Sequence, residues 1–413
     1  FNLVSSFTFR QVFSDNFTTA TRPTDNSRVF LTKNYRSRSF NLLFSQEETV
    51  FPGQNVIIRN TPSLSFKILG HSLFNTPLYF DLRSSTEGRS RTDQFFKTPG
   101  ITQRLDVFPE IYFSIPLAQG LKLTPRIGFR ETFYSDSLSE GEKETQLDPL
   151  SSSHLHRHYF ETTFDLKGWG LSKIHGSGSG HPWKHLIEPT LRYRYISGLD
   201  NFNRIIRFDE HDAIANTNEI ELGLFNRIFV KRETKNGRTI HEWLTLKIAQ
   251  KYFLDPDFGG AFQPGEVNQF FPLNTLTGFP YNVNRRSFSP VTTLLRFRPL
   301  GKYSFDFRGD YDPEFQTLRN FSVTGFLSGQ SFFLGTTYFV TRELEEGTFK
   351  TNQLQADLAI GNLQEGFSGS TSFSYDVRRK RFLTHRSRIN YGWDCCRVSI
   401  EYQGFRIGVR EEQ

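Results

Sequence analysis

Acid–base side chains stand next to each other at two places in this 413-residue sequence. His211 precedes Asp212, and His241 precedes Glu242. Such pairs could support general acid–base catalysis if an activated nucleophile or a metal ion stood beside them. Neither pair is accompanied by a serine nucleophile or by a set of metal ligands, and the GSGSG run at 176–180 fits neither a phosphate loop nor a nucleophile elbow. We therefore predict that the protein is not an enzyme.

Three histidines with a spacing of two offer a second possible chemistry. His154, His156 and His158 share a parity, so they could face one metal ion. No carboxylate or cysteine stands beside them to complete a ligand set, and a solvated strand edge explains them as well. We expect no metal site and no cofactor.

Arginines on the polar parity of alternating segments form the third candidate group. In such a segment they lie on the face opposite the apolar residues. They could bind acidic groups of a ligand, or they could form salt bridges with Asp306, Glu219 or Glu401. The six candidates are Arg192, Arg194, Arg296, Arg298, Arg308 and Arg388.

The two cysteines of the chain, Cys395 and Cys396, are adjacent. Neighbours on a strand point to opposite faces, and a bridge between them needs a strained peptide. They are either two inert thiols or the partners of cysteines in a segment outside this sequence, which would imply an oxidising compartment.

The elements that position these residues are strands with a period of two. From Gly366 to Arg410, aromatic and aliphatic residues alternate with Ser, Arg, Glu and Asn. The same pattern recurs along the chain and predicts roughly 20 strands. They are separated by short turns and by longer connections at 85–99, 135–156 and 254–286, and by a loop that carries Asp209, Asp212 and Asn216. Pro125, inside one of these strands, predicts a bulge or kink.

The composition favours a barrel whose inside is wet. Apolar residues make up 36% of the chain, whereas aromatic residues reach 15%, with 45 Phe. An outer-membrane barrel reconciles these values, because its lumen is polar and its outer surface carries aromatic girdles. No apolar run is long enough for a transmembrane helix. The net charge of +7 is spread along the chain, which argues for an acidic substrate or lipid rather than nucleic acid. We predict an all-β fold, a large antiparallel transmembrane β-barrel.

Two passages and the cysteine pair resemble one family. The segment from His185 to Tyr195 (HLIEPTLRYRY), the segment from Asn216 to Leu224 (NTNEIELGL) and the pair Cys395-Cys396 resemble the barrel of the LptD family, which assembles lipopolysaccharide in the outer membrane. The resemblance covers most of the chain in order, and the paired cysteines are its most specific element.

The resemblance implies a barrel of about 26 strands in the outer membrane of a Gram-negative bacterium, with a lateral gate between its first and last strands. It implies insertion of lipopolysaccharide into the outer leaflet without covalent chemistry, with the six arginines as candidate head-group contacts. It also implies an LptE-like lipoprotein plug, contact with outer-membrane lipids, and an LptA-like periplasmic bridge attached through an N-terminal jellyroll domain. In the family, the paired cysteines bridge to cysteines that flank this domain. We expect residues 1–413 to be the barrel alone, from a mature or trimmed protein without its jellyroll.

Three other classes of protein remain alternatives. A porin would share the fold but would have no use for adjacent cysteines. A barrel protease or lipase would need a nucleophile that the sequence does not present. A soluble sandwich or lectin would need a larger apolar core than 36% apolar residues supply.

Overall fold

The computed structural model describes most of the chain. The described residues are 24–51, 54–92, 97–98, 100–117, 120–139, 150–151, 153–168, 170–176, 182–209, 211–212, 214–234, 237–256, 286–299, 301–342, 349–361, 366–393 and 396–405.

Antiparallel strands make up nearly all of this part of the chain, and 20 of them form one sheet. Each strand pairs with its neighbours in chain order, except that β6 continues the line of β5 and β11 that of β10. β8 and β9 form a separate small hairpin. The strands are β1 (Thr24–Tyr35), β2 (Arg38–Phe51), β3 (Gln54–Ser72), β4 (Leu78–Thr92), β5 (Thr102–Phe113), β6 (Ile115–Pro116), β7 (Lys122–Tyr134), β8 (Ser137–Leu138), β9 (Leu150–Ser151), β10 (Leu155–Lys167), β11 (Leu171–His175), β12 (Trp183–Ser197), β13 (Thr217–Thr234), β14 (Gly237–Phe253), β15 (Val291–Phe297), β16 (Tyr303–Asp312), β17 (Thr317–Ser328), β18 (Phe332–Arg342), β19 (Phe349–Gly361), β20 (Gly366–Asp376), β21 (Arg381–Trp393) and β22 (Cys396–Phe405).

The sheet is inverted relative to a soluble protein, with charged residues inside and apolar residues outside. In β5, Arg104, Asp106 and Glu110 are buried, whereas Leu105 and Ile111 on the other parity are about half exposed. A soluble sandwich buries the apolar parity instead, so the pattern excludes it. The outward apolar face suits lipid.

The late strands follow the same rule, as their alternation predicts. Phe367 is 74% exposed and Ile389 is 60% exposed on the outer face. On the inner face of the same two strands, Ser368 is 6% and Asn390 is 5% exposed. The parity of side chains in the sequence therefore separates the two faces of the sheet.

The two ends of the sheet have connections of different length. At the end called here the short-turn end, the strands are joined by residues 36–37, 73–77, 117–121, 176–182, 235–236, 298–302, 329–331, 362–365 and 394–395. At the long-loop end, the connections include 93–101, 135–154, 198–216 and 254–290, and from β16 onward they shorten to 313–316, 343–348 and 377–380.

Pro125 produces an interruption different from the one predicted. The pairing of β7 with β10 runs without a register shift from Leu155 to Lys167, so the predicted bulge in β7 is wrong. A break lies across the sheet instead, at Ser114 between β5 and β6, next to Phe113, the residue of β5 that faces Pro125 in the register. Proline has no N–H to donate, so the partner strand loses its hydrogen bond there.

Helices contribute little to the described part of the chain. A 3-10 turn occurs at Phe202–Arg204. Among the described residues, no helix has the length and apolar character to cross a membrane. The fold is a large antiparallel β-barrel, as predicted.

Candidate functional site

A loop lies against the inner face of the barrel at the long-loop end. This inner loop, residues 198–216, connects β12 to β13, and its positions 210 and 213 lie outside the described residues. It carries apolar side chains that are almost completely buried, including Ile205, Ile206 and Phe208. Ile206 and Phe208 pack with Ile58 of β3, and Ile205 packs with Tyr134 of β7. The loop thus forms a small apolar core inside a polar lumen.

Arg104 of β5 is the centre of the charged network that holds this loop. One terminal nitrogen donates to Asp212 Oδ1 at 2.8 Å and to Asp209 Oδ1 at 3.0 Å. The other donates to Glu87 Oε2 at 2.7 Å and to Asp209 Oδ2 at 2.8 Å. The Arg104 side chain is 4% exposed and that of Asp212 is not exposed at all. Each buried charge therefore depends on the others for compensation.

Arg89 of β4 and Tyr134 of β7 complete this network. Arg89 pairs with Glu87 at 2.6 Å and with Asp209 at 2.7 Å. The Tyr134 hydroxyl donates to Asp212 Oδ1 at 2.6 Å. The other oxygen of the Asp212 carboxylate accepts the backbone N–H of Phe208 at 2.9 Å, which fixes the turn of the loop itself.

A second set of contacts binds the loop further round the wall. Arg130 of β7 makes a bidentate pair with Asp106, with both contacts at 2.8 Å, and its remaining nitrogen lies 3.3 Å from His211 Nδ1. Arg157 of β10 donates to the backbone carbonyls of His211 at 2.7 Å and Ile214 at 2.5 Å. The early wall, defined as β4, β5, β7 and β10, thus contacts the inner loop from every strand.

The protonation of two loop residues reflects this environment. Burial alone would raise the pKa of Asp209, but the guanidinium groups of Arg104 and Arg89 hold it far below its usual value. Loss of water around the imidazolium and the nearby Arg130 lower the pKa of His211, although part of its ring still faces the lumen. At neutral pH the docked loop therefore holds a carboxylate and a neutral imidazole.

A second cluster of charged residues on the early wall contains two arginines and two carboxylates. Arg126 pairs with Asp81 at 3.2 Å and with Glu110 at 3.4 Å, and Arg83 pairs with Glu110 at 2.5 Å. The Arg126 guanidinium also lies 4.1 Å from the centre of the Tyr112 ring.

Two of the six predicted arginines, Arg192 and Arg194, lie on the inner face of β12. Arg192 Nε is 2.5 Å from Asp165 Oδ1, and Arg194 Nε is 2.7 Å from Glu161 Oε1. Each thus has its own carboxylate on β10. Glu219 of β13, which lies opposite Arg194 in the register, forms an ion pair with Lys251 at 2.8 Å.

Three more of the predicted arginines converge on the late wall, defined as β15 to β22. Arg296 and Arg298 share the single carboxylate of Asp306, at 3.0 and 3.2 Å. Arg308 lies two residues further along β16 on the same inner face, is exposed, and has no ion-pair partner among the described residues. This part of the wall therefore presents more positive than negative charge to the lumen.

Arg388, the last predicted arginine, forms a similar shared pair on β21 and β22. Its Nε donates to Glu401 Oε2 at 2.7 Å, and Arg386 Nε lies 2.6 Å from Glu401 Oε1. The predicted salt bridges with Asp306 and Glu401 are thus present. Asp306 contacts both Arg296 and Arg298, and Glu401 contacts both Arg386 and Arg388.

Cys396 lies at the short-turn end. It is exposed at the first position of β22, opposite Trp393. Cys395 lies outside the described residues.

The histidine motif lies on the outer surface near the long-loop end. His156 faces outward on β10 and contacts Glu131 at 3.2 Å, and the ring of His154 lies 6.0 Å from that of His156. Within the described ranges, no group of three or more His, Cys, Asp or Glu side chains could hold a metal ion.

The inner loop was the main site feature that the sequence analysis missed. The sequence predicts a connection there, but not its insertion into the lumen. The available signal was the apolar run Ile205-Ile206 followed by Phe208, which is unusual in an exposed loop. In β5, the alternation of Arg104, Asp106 and Glu110 with apolar residues was an equally readable signal of the charged inner wall.

Comparison with solved structures finds siderophore and ferric enterobactin receptors. The chain is similar to the siderophore receptor PirA from Acinetobacter baumannii, with 7% identity and a TM-score of 0.37, over 92% of this chain and 65% of the receptor. It is also similar to a mutant of the ferric enterobactin receptor PfeA from Pseudomonas aeruginosa, with 8% identity and a TM-score of 0.36, over 92% of this chain and 64% of the receptor. The chain thus spans somewhat less than two thirds of the length of these receptors.

Comparison with protein families gives a direct assignment. No curated protein sequence matches the chain. Residues 1–362 match the family described as LptD, LPS transport system D. Because this match extends over most of the 413 residues, the chain belongs to the LptD family of lipopolysaccharide transport proteins, which form β-barrels in the outer membrane of Gram-negative bacteria.

Proposed function

We propose that the protein transports lipopolysaccharide through its barrel and inserts it into the outer leaflet through a lateral gate, without covalent chemistry. The observation that carries this proposal is the family match over residues 1–362. The inner wall is consistent with it, because a phosphorylated glycolipid needs a wet, cationic surface for its head group.

The orientation follows from the lengths of the connections. Outer-membrane barrels have short periplasmic turns and longer extracellular loops. The short-turn end is therefore assigned to the periplasm and the long-loop end to the cell surface. Cys396 then lies at the periplasmic rim, the side from which a periplasmic domain would approach.

The six arginines divide into two groups in this proposal. Arg296, Arg298, Arg308 and Arg388 lie on the late wall, where two of the carboxylates each serve two guanidinium groups. A head-group phosphate can bind there without leaving a buried carboxylate unpaired. Arg192 and Arg194 already have separate carboxylate partners, so we expect weaker contact with the lipid.

The wall assignment predicts where lipid will be captured. Photo-crosslinking residues placed at 192, 296 and 388 should capture lipopolysaccharide during transport, with the strongest capture at 296 and 388. Crosslinkers at the adjacent outward positions 193, 297 and 389 should capture mainly phospholipid. Capture of lipopolysaccharide only at the outward positions would refute transport through the lumen and would favour the porin alternative.

The partners of the transport machinery belong to the same proposal. We expect an LptE-like lipoprotein plug in the lumen and an LptA-like bridge that reaches the barrel through a periplasmic jellyroll domain. Cys395 and Cys396 would each form a disulfide with a cysteine flanking that domain. These disulfides would fix the orientation of the domain relative to the lumen. Such long-range bridges could stabilise the docked domain by about 4–5 kcal/mol in the chain-entropy description.

Thiol labelling with intact-mass analysis tests the disulfide proposal. The full-length protein should contain two further cysteines upstream and no free thiol at Cys395 or Cys396. Replacing both with serine should block export while leaving a folded barrel. Two free thiols, or a bridge between the adjacent cysteines, in the native full-length protein would contradict the docking role.

A further inference from the structure

Glu401 on β22 is held by two arginines of the neighbouring strand. Arg388 lies directly opposite it in the register, and Arg386 lies one diagonal step away on the same inner face. The two contacts are made to different carboxylate oxygens, at 2.7 and 2.6 Å. The carboxylate side chain is 26% exposed, so the cluster is open to the lumen.

The surrounding inner face offers hydrogen-bond donors, and the next carboxylate on that side, Asp357, lies on β19 opposite Ser372. Ser370 of β20 lies opposite Arg388, and Ser372 lies opposite Arg386. From 368 to 374, the inner parity of β20 consists of serines alone. On the other side, Ser399 precedes Glu401 by two positions on β22 and shares its face.

A phosphate group suits this arrangement better than a carboxylate does. A carboxylate has two oxygens and one negative charge, whereas a phosphate monoester has three free oxygens and a charge of about −1.5 to −2 at neutral pH. Each guanidinium could then make a bidentate contact with phosphate, which two guanidinium groups sharing one carboxylate cannot both do.

We infer that Arg386 and Arg388 form a binding site for a phosphate group of the transported lipid, and that Glu401 occupies this site in its absence. Binding displaces the Glu401 carboxylate and removes a side-chain link between β21 and β22. This inference rests on the proposed function, and it adds two residues, Arg386 and Glu401, to the expected lipid path. No bond is made or broken in this step.

The Asp165–Arg192 pair supplies a matched control. It is also a cross-strand ion pair on the inner face, with a contact of 2.5 Å, but Asp165 contacts a single arginine of β12. Neutralising Asp165 removes a carboxylate contact from one guanidinium, whereas neutralising Glu401 removes it from two guanidinium groups that contact the same carboxylate. The two variants therefore separate a built phosphate site from a general gain of positive charge.

The experiment measures lipid capture by a crosslinker at position 370 in the full-length protein with its partners. The probes are the lipid anchor of lipopolysaccharide with its phosphates and the same lipid after enzymatic removal of the phosphates. The phosphorylated lipid should be captured preferentially, and E401Q should increase its capture about tenfold at limiting concentration, since a competing charged hydrogen bond is lost. D165N should leave capture at position 370 unchanged, and the double variant R386Q/R388Q should abolish the preference for phosphate.

The outcomes separate this inference from the proposed function. Equal capture of the two lipids at position 370 in E401Q, with phosphate-dependent capture retained at position 296, would overturn the site and leave transport intact. Loss of capture at both positions in the unmodified protein would overturn the proposed function itself. A D165N effect as large as that of E401Q would show that charge alone, rather than the paired geometry, attracts the lipid. Heat-modifiable migration of each variant in gels verifies that the barrel is folded.

Discussion

The early and late walls of the barrel use the same residue types in opposite ways. In the early wall, Arg104 and Arg130 are buried: Arg104 contacts three carboxylates, Arg130 pairs with Asp106, and both contact the inner loop. In the late wall, Arg296 and Arg388 are about 40% exposed and share their carboxylates with other arginines. The difference shows that an arginine-rich lumen is not uniform. One part of it is interior structure, and the other is a surface available to a ligand.

Removal of Arg104 should give the largest difference between the two walls. R104Q leaves Asp209, Asp212 and Glu87 buried without their main cation, which should cost about 3–5 kcal/mol. R296Q removes a water-exposed pair and should cost at most about 1 kcal/mol. Urea titration of protein folded into bilayers measures both. Equal costs would contradict the distinction between the walls.

Substitutions on the outer surface should lower the free energy of unfolding by similar amounts in the early and late walls. Ile127 of β7 and Ile389 of β21 are both about 60% exposed on the lipid side. Arginine at either position should cost about 2–4 kcal/mol if it lies near the bilayer midplane, and less near an interface. Ser370→Arg, on the inner face, should cost far less. Equal costs at Ile389 and Ser370, measured by the same titration, would contradict the assignment of the faces.

Acid should weaken the docking of the inner loop on the early wall. Because the pKa of His211 is lower in the docked loop than in an undocked one, the undocked loop takes up a proton first as the pH falls. The docking stability is thus fully present above about pH 6.5 and declines below it. The lowered pKa of Asp209 adds a further loss below about pH 4. Hydrogen exchange at the Ile205 and Ile206 amides should accelerate over the first range, and H211N should suppress that change. Acceleration of the same size in β18 would indicate general loosening instead.

Arg308 should show the smallest effect on stability and a clear effect on the ligand. R308Q removes no ion pair among the described residues, so the free energy of unfolding should change by less than about 0.5 kcal/mol. Crosslinking of lipopolysaccharide at the neighbouring position 322 should nevertheless decrease. A large loss of stability would place Arg308 with the structural arginines of the early wall.

The sequence was sufficient to predict the faces of the sheet and insufficient to predict the contacts across the lumen. The alternation that places Arg296 and Arg388 inside depends only on the period of a strand. The partners Asp306 and Glu401 were also accessible, because they lie on adjacent strands of short hairpins. In contrast, Arg104 and Asp212 are separated by 108 positions and meet only because a loop folds inward, which no local period specifies.

The small apolar core within the lumen also bears on how the barrel changes shape. Ile58 of β3 and Leu138 of β8 pack with the inner loop, which also meets Tyr159 of β10 through Leu199. Strands that are not neighbours in the sheet are thereby braced against one another. In the late wall, the described contacts join mainly adjacent strands. Bending of this part of the sheet is therefore opposed by little more than the hydrogen bonds between neighbouring strands. Mechanical compliance is therefore distributed unevenly around the circumference. Any widening of the barrel during the passage of a bulky molecule should be concentrated in β15 to β22, while the braced arc from β3 to β12 acts as the stiff frame.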